Sequence, residues 1–278
     1  MTPSIALSTK DIELPQPSRA ELATAIREVV AHVTAQMETA PSLAPRVRGE
    51  DWSVADAAAH LAIAQQVFAE VASGGDHPFQ GTAPTNYGEV NARLIEESGD
   101  RDRPQLVRDI RAHTDAFLAT TAAAEPGGDY DTPVGSMPLD ALLSYNLSHL
   151  LQHAHSISAA LELKSPIHDA HPRLAVPFLR VATPFAYRMS TRPRIEARLD
   201  MRVRGQFRFV ISLSKTEARV EAPGERGADC HVVTGPVPFM LIMLGQTDPL
   251  RVLLRGQTFA WGRRPWLALQ LKDYLPGL

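Results

Sequence analysis

Cysteine is nearly missing from this chain of 278 residues: Cys230 is the single one. An internal disulfide is excluded, and the composition suits a reducing, cytoplasmic setting. Long apolar runs are missing too. The longest, such as VPFMLIML, fall far short of the ~20 residues a helix needs to span a bilayer, so no membrane span is expected. The N-terminal stretch MTPSIALSTKDIELPQPS has no basic region followed by an apolar one, and no secretory signal is expected. Net charge is small, −3 with histidines neutral, which gives no reason to expect nucleic-acid binding. What is present suffices for a globular core, with 44% hydrophobic residues. The length leans towards two domains, because single cores usually stop growing at roughly 250 residues.

The small net charge conceals an asymmetry. From residue 190 onward there are 14 Lys+Arg against 8 Asp+Glu, whereas the remainder holds 14 basic and 23 acidic residues. Two domains of opposite sign are the simplest reading. In the acidic part, Ser18 and Glu21 stand in capping-box spacing before Leu22, Ile26, Val29, Val30 and Val33 at helical intervals. A second helix follows Ser53 as N-cap and buries Val54, Ala58, Leu61, Ala64 and Phe68, with SGG as its stop. Further helical stretches are expected at 87–98 and 104–124, then from about 139 to 163. Four principal helices make an up-and-down bundle the natural architecture of residues 1–164.

Residues 165–193 carry Pro166, Pro172, Pro177, Pro184 and Pro193, and read as a connecting segment that can hold only short helices. Beyond it, Ile195, Ala197, Leu199, Met201 and Val203 alternate with charged residues, which is strand periodicity with one buried face. FRFVISLS, EARVEA and ADCHVV follow at strand length. PVPFMLIMLG reads as a buried helix, and the remainder as a short helix, a strand and a closing helix. Residues 194–278 are thus expected to be a smaller α+β domain, so the fold class is α plus α+β.

The histidines carry the chemistry. His149 and His153 are four apart on one expected helix and project from one face. His60, set among alanines and leucine in AAAHLAIA, points inward from another helix, and side chains of separate helices can converge inside a bundle. Neutral imidazole is a common ligand for zinc and similar ions, so the three are candidate metal ligands. The alternative is that all three are core histidines satisfied by ordinary acceptors. His155 lies on a different face of its helix. His168 and His171 read as members of a solvated loop, and His32, His77, His113 and His231 have no partner at ligand spacing. Cys230 follows strand alternation as a small buried residue.

DWSVADAAAHLA on the second helix, with LSYNLSHLLQHAHSISAAL on the last, resembles the DinB-like four-helix bundle of the mycothiol-dependent maleylpyruvate isomerase family. The pattern from ADCHVV to the end is similar to the sterol-carrier-like domain that often follows it. The resemblance covers most of the chain. It implies that His60, His149 and His153 hold a divalent ion, usually zinc. It also implies that a low-molecular-weight thiol, mycothiol, binds that ion as thiolate and reacts with a small electrophilic substrate.

The sequence departs from the isomerase pattern. Where the isomerases tend to have Glu-x-x-x-His followed shortly by Asp, this chain has His149, His153 and then Ser156. Three neutral ligands leave a more positive site and favour an anionic fourth ligand. The expected function is therefore a metal-dependent thiol transferase that conjugates, exchanges or isomerises a small electrophile or natural-product intermediate through a thiol adduct. The alternatives are a non-catalytic carrier of an apolar ligand in the C-terminal domain and a metal-hydroxide hydrolase. Asp56 is a candidate for orienting the thiol or a ligand, and Tyr145, Asn146 and Gln152 are candidate substrate contacts. Arg255, Arg263 and Arg264 are candidates for holding a carboxylate of the thiol. A monomer and a homodimer are both compatible with this reading.

Overall fold

In a computed structural model of the chain, residues 13–99, 102–125, 127–224 and 226–276 are described. The N-terminal stretch up to residue 12, where no secretory signal is expected, lies outside them. The chain divides into two compact units, one of Ser18–Ile167 and one of His168–Leu278, with residues 13–17 grouped with the latter.

The first unit is helical. Helix α1 (Arg19–Thr39) opens on Ser18, whose hydroxyl accepts from the Glu21 N–H while the Glu21 carboxylate accepts from the Ser18 N–H. Helix α2 (Val54–Ala72) repeats the device with Ser53 and Asp56. Each box satisfies N–H groups that a helix start would otherwise leave unpaired. Helices α3 (Tyr87–Ser98) and α4 (Arg103–Ala123) follow, then a two-stranded antiparallel ribbon of β1 (Asp129–Tyr130) and β2 (Met137–Pro138), and the long helix α5 (Leu139–Ala160).

Helix α1 packs on α4 and α5, and α2 packs on the same two, so α1, α2, α4 and α5 form the bundle while α3 leans on α2. Chain neighbours α1 and α2 therefore sit diagonally, as do α4 and α5. That departs from the up-and-down order expected from the sequence. The connections allow it, because residues 40–53 and 124–138 are long enough to cross a bundle end. Leu22, Ile26, Leu61, Ile110, Phe117, Leu142, Leu147 and Leu150 fill the centre and are buried from solvent.

The second unit is a five-stranded sheet with helices on one face. A four-residue helix, α6 (His171–Leu174), and the longer α7 (Val176–Met189) come first. Strands β3 (Ala197–Val203), β4 (Phe207–Leu213), β5 (Ala218–Glu221), β6 (Cys230–Thr234) and β7 (Thr258–Trp261) lie in the order β5-β4-β3-β6-β7. All pairings are antiparallel except β3 with β6. Helices α8 (Pro236–Met243), α9 (Pro249–Leu254) and α10 (Leu267–Tyr274) complete the unit. Leu199, Met201, Phe209, Ile211 and Cys230 point to the buried face, Cys230 fully so. Every strand and helix expected after residue 194 is present, and the fold class is α followed by α+β as read from the sequence.

The proline-rich segment differs from its reading. Residues 176–189 form a continuous 14-residue helix, α7, rather than short pieces. Pro177 sits in its first turn, where no N–H is required, and the helix passes through Pro184. Burial of Val176, Leu179, Ala182, Ala186 and Tyr187 outweighs the hydrogen bond lost there. The Tyr187 hydroxyl donates to the Ser214 carbonyl at 2.8 Å and ties the helix to the sheet. His171 likewise is no loop residue in solvent. It is 1% exposed at the start of α6, and its Nδ1 accepts from the His168 N–H.

Candidate metal centre and its pocket

Helix α5 is the reason the histidines meet. Residues 139–160 run without a charged side chain beyond Asp140 in the first turn, and one stripe of the helix carries Tyr145, His149, Gln152 and His153. Helix α2 presents His60 to the same space. Its position is set by the Ser53–Asp56 cap one turn and a half before it. His60 Nε2 lies 3.3 Å from His149 Nε2, and one nitrogen from each of His60, His149 and His153 falls within 4.8 Å of the others.

That spacing bears on what the cluster can hold. Two nitrogens bound to one tetrahedral ion at about 2.0–2.1 Å stand about 3.3–3.4 Å apart, the separation between His60 and His149. The donor set of three neutral imidazoles suits zinc and related ions, and three protein ligands leave a fourth position open. His149 Nδ1 is shut off from solvent without a hydrogen-bond partner, so the polar contact of that ring is on its Nε2 side. Burial lowers His60 to a pKa of about 4. Burial, with His60 as a neighbour, lowers His149 to about 3. His153 is held well below the ordinary histidine value by burial and by both neighbours. All three are therefore neutral at physiological pH, the state in which imidazole ligates a metal.

Over the cluster lies a cavity of about 370 Å³, formed within the helical unit. Trp52 stacks above His153 with ring centroids 6.4 Å apart and meets His60 at 5.0 Å. Phe68 stands edge-on to His149 and to Tyr145. Phe79 and Tyr87, which also line the cavity, pack edge to face with ring centroids 5.1 Å apart. The Tyr87 hydroxyl donates to the Pro133 carbonyl at 2.6 Å and holds the loop between β1 and β2 against the rim. Burial and the nearby Asp131 carboxylate raise the Tyr87 phenol.

The sequence candidates separate clearly. His60, His149 and His153 converge, and Tyr145 and Gln152 line the cavity. Asp56 is engaged at the helix start, where its carboxylate accepts from both the N–H and the hydroxyl of Ser53. Asn146 turns away from the cavity, contrary to its reading as a substrate contact. One residue past Tyr145 on a helix is a rotation of about 100°, and its amide donates to Gln65 in the bundle interior, beside Thr114. Arg263 pairs with Asp229, and Arg264 donates to the Glu196 carbonyl, so both brace their own unit rather than standing ready for an anion. Arg255 caps the end of α9. Trp52 and Phe79 escaped the sequence reading because they lie in turns and loops, which carry no helical period, and Tyr87 because it stands at the very start of α3.

A family model described as the DinB superfamily matches residues 23–157. Among solved structures, the chain is similar to a mycothiol-dependent maleylpyruvate isomerase at 14% identity and a TM-score of 0.52. The likeness covers 83% of this chain and 90% of that one. A histidine-to-alanine variant of the mycothiol-dependent maleylpyruvate isomerase matches at 13% identity and a TM-score of 0.53, over 81% and 88%. At such identity the likeness is one of fold. No curated protein sequence matches the chain.

Proposed function

We propose, from the match of residues 23–157 to a DinB superfamily model, that the chain is a metal-dependent thiol transferase or isomerase acting on a small electrophile with mycothiol as cosubstrate. The observation that carries the reading is the convergence of three neutral histidines, His60 buried and His149 and His153 half-buried, on one point beneath an open pocket. His60, His149 and His153 would hold the ion, with zinc favoured by the all-imidazole set. When bound, such an ion supplies a position for a thiol and lowers its pKa so that the nucleophilic thiolate prevails at neutral pH.

The chain's own residues do the rest. The imidazoles stay neutral because burial keeps protons off them. Trp52 and Phe68 pack against the imidazole rings and limit the water that reaches them. The fold likeness to a mycothiol-dependent maleylpyruvate isomerase supports the choice of thiol. The substitution of a third histidine for the carboxylate expected in that family argues for a different electrophile.

The test is the visible spectrum of the cobalt-substituted protein before and after mycothiol. A sulfur-to-cobalt charge-transfer band is expected, and its loss in His153→Ala, together with the metal. Cobalt that binds with no spectral response to the thiol would overturn the reading.

A further inference from the structure

Strands β3, β4, β6 and β7 turn one face to the helices of their unit, and their alternation puts Asp200, Arg202, Arg208, His231, Val233 and Trp261 on the other. A cleft of about 200 Å³ opens among these six side chains. All of them belong to the second unit, so what the cleft binds is independent of the thiol-transferase reading.

The pairing register sets its shape. Arg202 stands directly opposite Arg208 on β4 and Val233 on β6, while His231 stands opposite Asp200 and Trp261. Val233 is thus a short apolar floor between Arg202 and the edge strand β7. On that strand Phe259 and Trp261 share one side and are 53% and 51% exposed. The Trp261 ring lies nearly parallel to His231, with centroids 5.4 Å apart and 16° between the planes. Asp200 orients the imidazole in turn. A carboxylate only accepts, so Nδ1 of His231 donates to it at 2.7 Å, and Nε2 has no partner among the described residues.

The charges on this face do not balance. Arg198 meets Glu221 at 3.1 Å, and Arg208 directs its Nε and Nη2 at Asp200. Arg202 is half-buried at the cleft and faces Arg208 directly, yet among the described residues it has neither an acidic partner nor a hydrogen bond. Like charges directly opposite on neighbouring strands are destabilising, and a partly desolvated guanidinium without an acceptor adds to the cost. An oxyanion in the cleft relieves both. Arg202 offers it a planar fork of donors, and Arg208 a second positive charge.

We propose that this cleft binds a small aromatic oxyanion, a single flat ring bearing a carboxylate or a phosphate, with the ring on Val233 against Trp261 and the acid group on Arg202. The volume admits one ring with its acid group and falls short of the ~300 Å³ at which drug-sized ligands are usually held. Stacking on Trp261 selects a flat ring, and the unpaired guanidinium selects the negative charge.

The three tryptophans supply the test. In the full chain supplied with zinc and labelled with nitrogen-15, each indole N–H gives its own resonance, and the Trp261→Phe and Trp52→Phe variants identify two of them. Trp52 packs on the histidine cluster, so the same spectrum reveals a ligand that goes to the metal instead. Benzoate is expected to shift the Trp261 resonance saturably with a Kd of about 1 mM or below, and benzamide to bind about tenfold or more weakly than benzoate. Phenyl phosphate should shift the same resonance, and whichever anion binds tighter identifies the acid group. Arg202→Gln should weaken both about tenfold, and Arg202→Lys, which keeps the charge without the fork, by less. Arg202 carries no contact that the fold depends on among the described residues, so both variants are expected to fold. A Trp261 resonance that stays still, shifts confined to Trp52, benzamide bound as tightly as benzoate, or unchanged binding in Arg202→Gln would overturn the proposal.

Discussion

Three imidazoles in one apolar place are costly unless something offsets their desolvation, and that cost predicts how the site responds to acid. An ordinary histidine near pKa 6.5 would begin to lose a bound metal to protons below that pH, about tenfold per pH unit for each ligand. Here burial has lowered His60 to about 4 and His149 to about 3, so protons are poor competitors until the pH approaches 4. Zinc affinity measured by equilibrium dialysis should stay flat from pH 8 to about 5 and collapse near 4. A steady decline starting at 6.5 would mean that the rings are far more hydrated than their burial implies. At this scale the sequence was informative where helical spacing applied. His149 and His153 share a face by simple arithmetic, and the alanine-rich flank of His60 turned it inward. The pairing of His231 with Asp200, 2.7 Å apart, was invisible because 31 residues and a change of strand separate them.

Between elements, two contacts can be tested alone. Asp200 on β3 accepts both Nε and Nη2 of Arg208 on β4, at 2.6 and 2.9 Å, and also meets His231 on β6. Its own burial would raise the carboxyl, but these hydrogen bonds win and hold it below the usual value. One side chain thus fastens three strands on the face opposite the helices. Asp200→Ala should lower urea stability by about 1–3 kcal/mol, since Arg208 and His231 lose a mostly buried partner. The Tyr87–Pro133 hydrogen bond is the second. Tyr87→Phe should weaken ligand binding in the pocket severalfold while zinc content, set by α2 and α5, is unchanged; equal loss of both by titration would place the hydroxyl's role in the bundle itself. Element identity was largely legible, strands β3 to β7 included, because period and turn residues are local. The exception is α7, where the prolines of its segment suggested interruption and the buried face of one helix overrode it. The bundle's diagonal order and the parallel β3–β6 pairing were not legible either, since long-range contacts alone decide which neighbours a helix or strand acquires.

For the molecule as a whole, the three histidines and the residues that line their pocket fall inside Ser18–Ile167. A chain ending after residue 167 should therefore still bind zinc, with a stoichiometry read by atomic absorption close to that of the full protein. Loss of metal on truncation would show that the second unit supports the histidines. The compact units part at 167 and 168, where α6 and α7 pack with the sheet-bearing unit. Cys230, finally, has a meaning beyond packing. It is fully buried, and burial raises its thiol above the ordinary range, so little reactive thiolate is present at neutral pH. A protein proposed to trade in thiols therefore keeps its own out of circulation: a disulfide reagent added to the native protein together with mycothiol should count only the mycothiol, and the chain should not become trapped as a mixed disulfide with it.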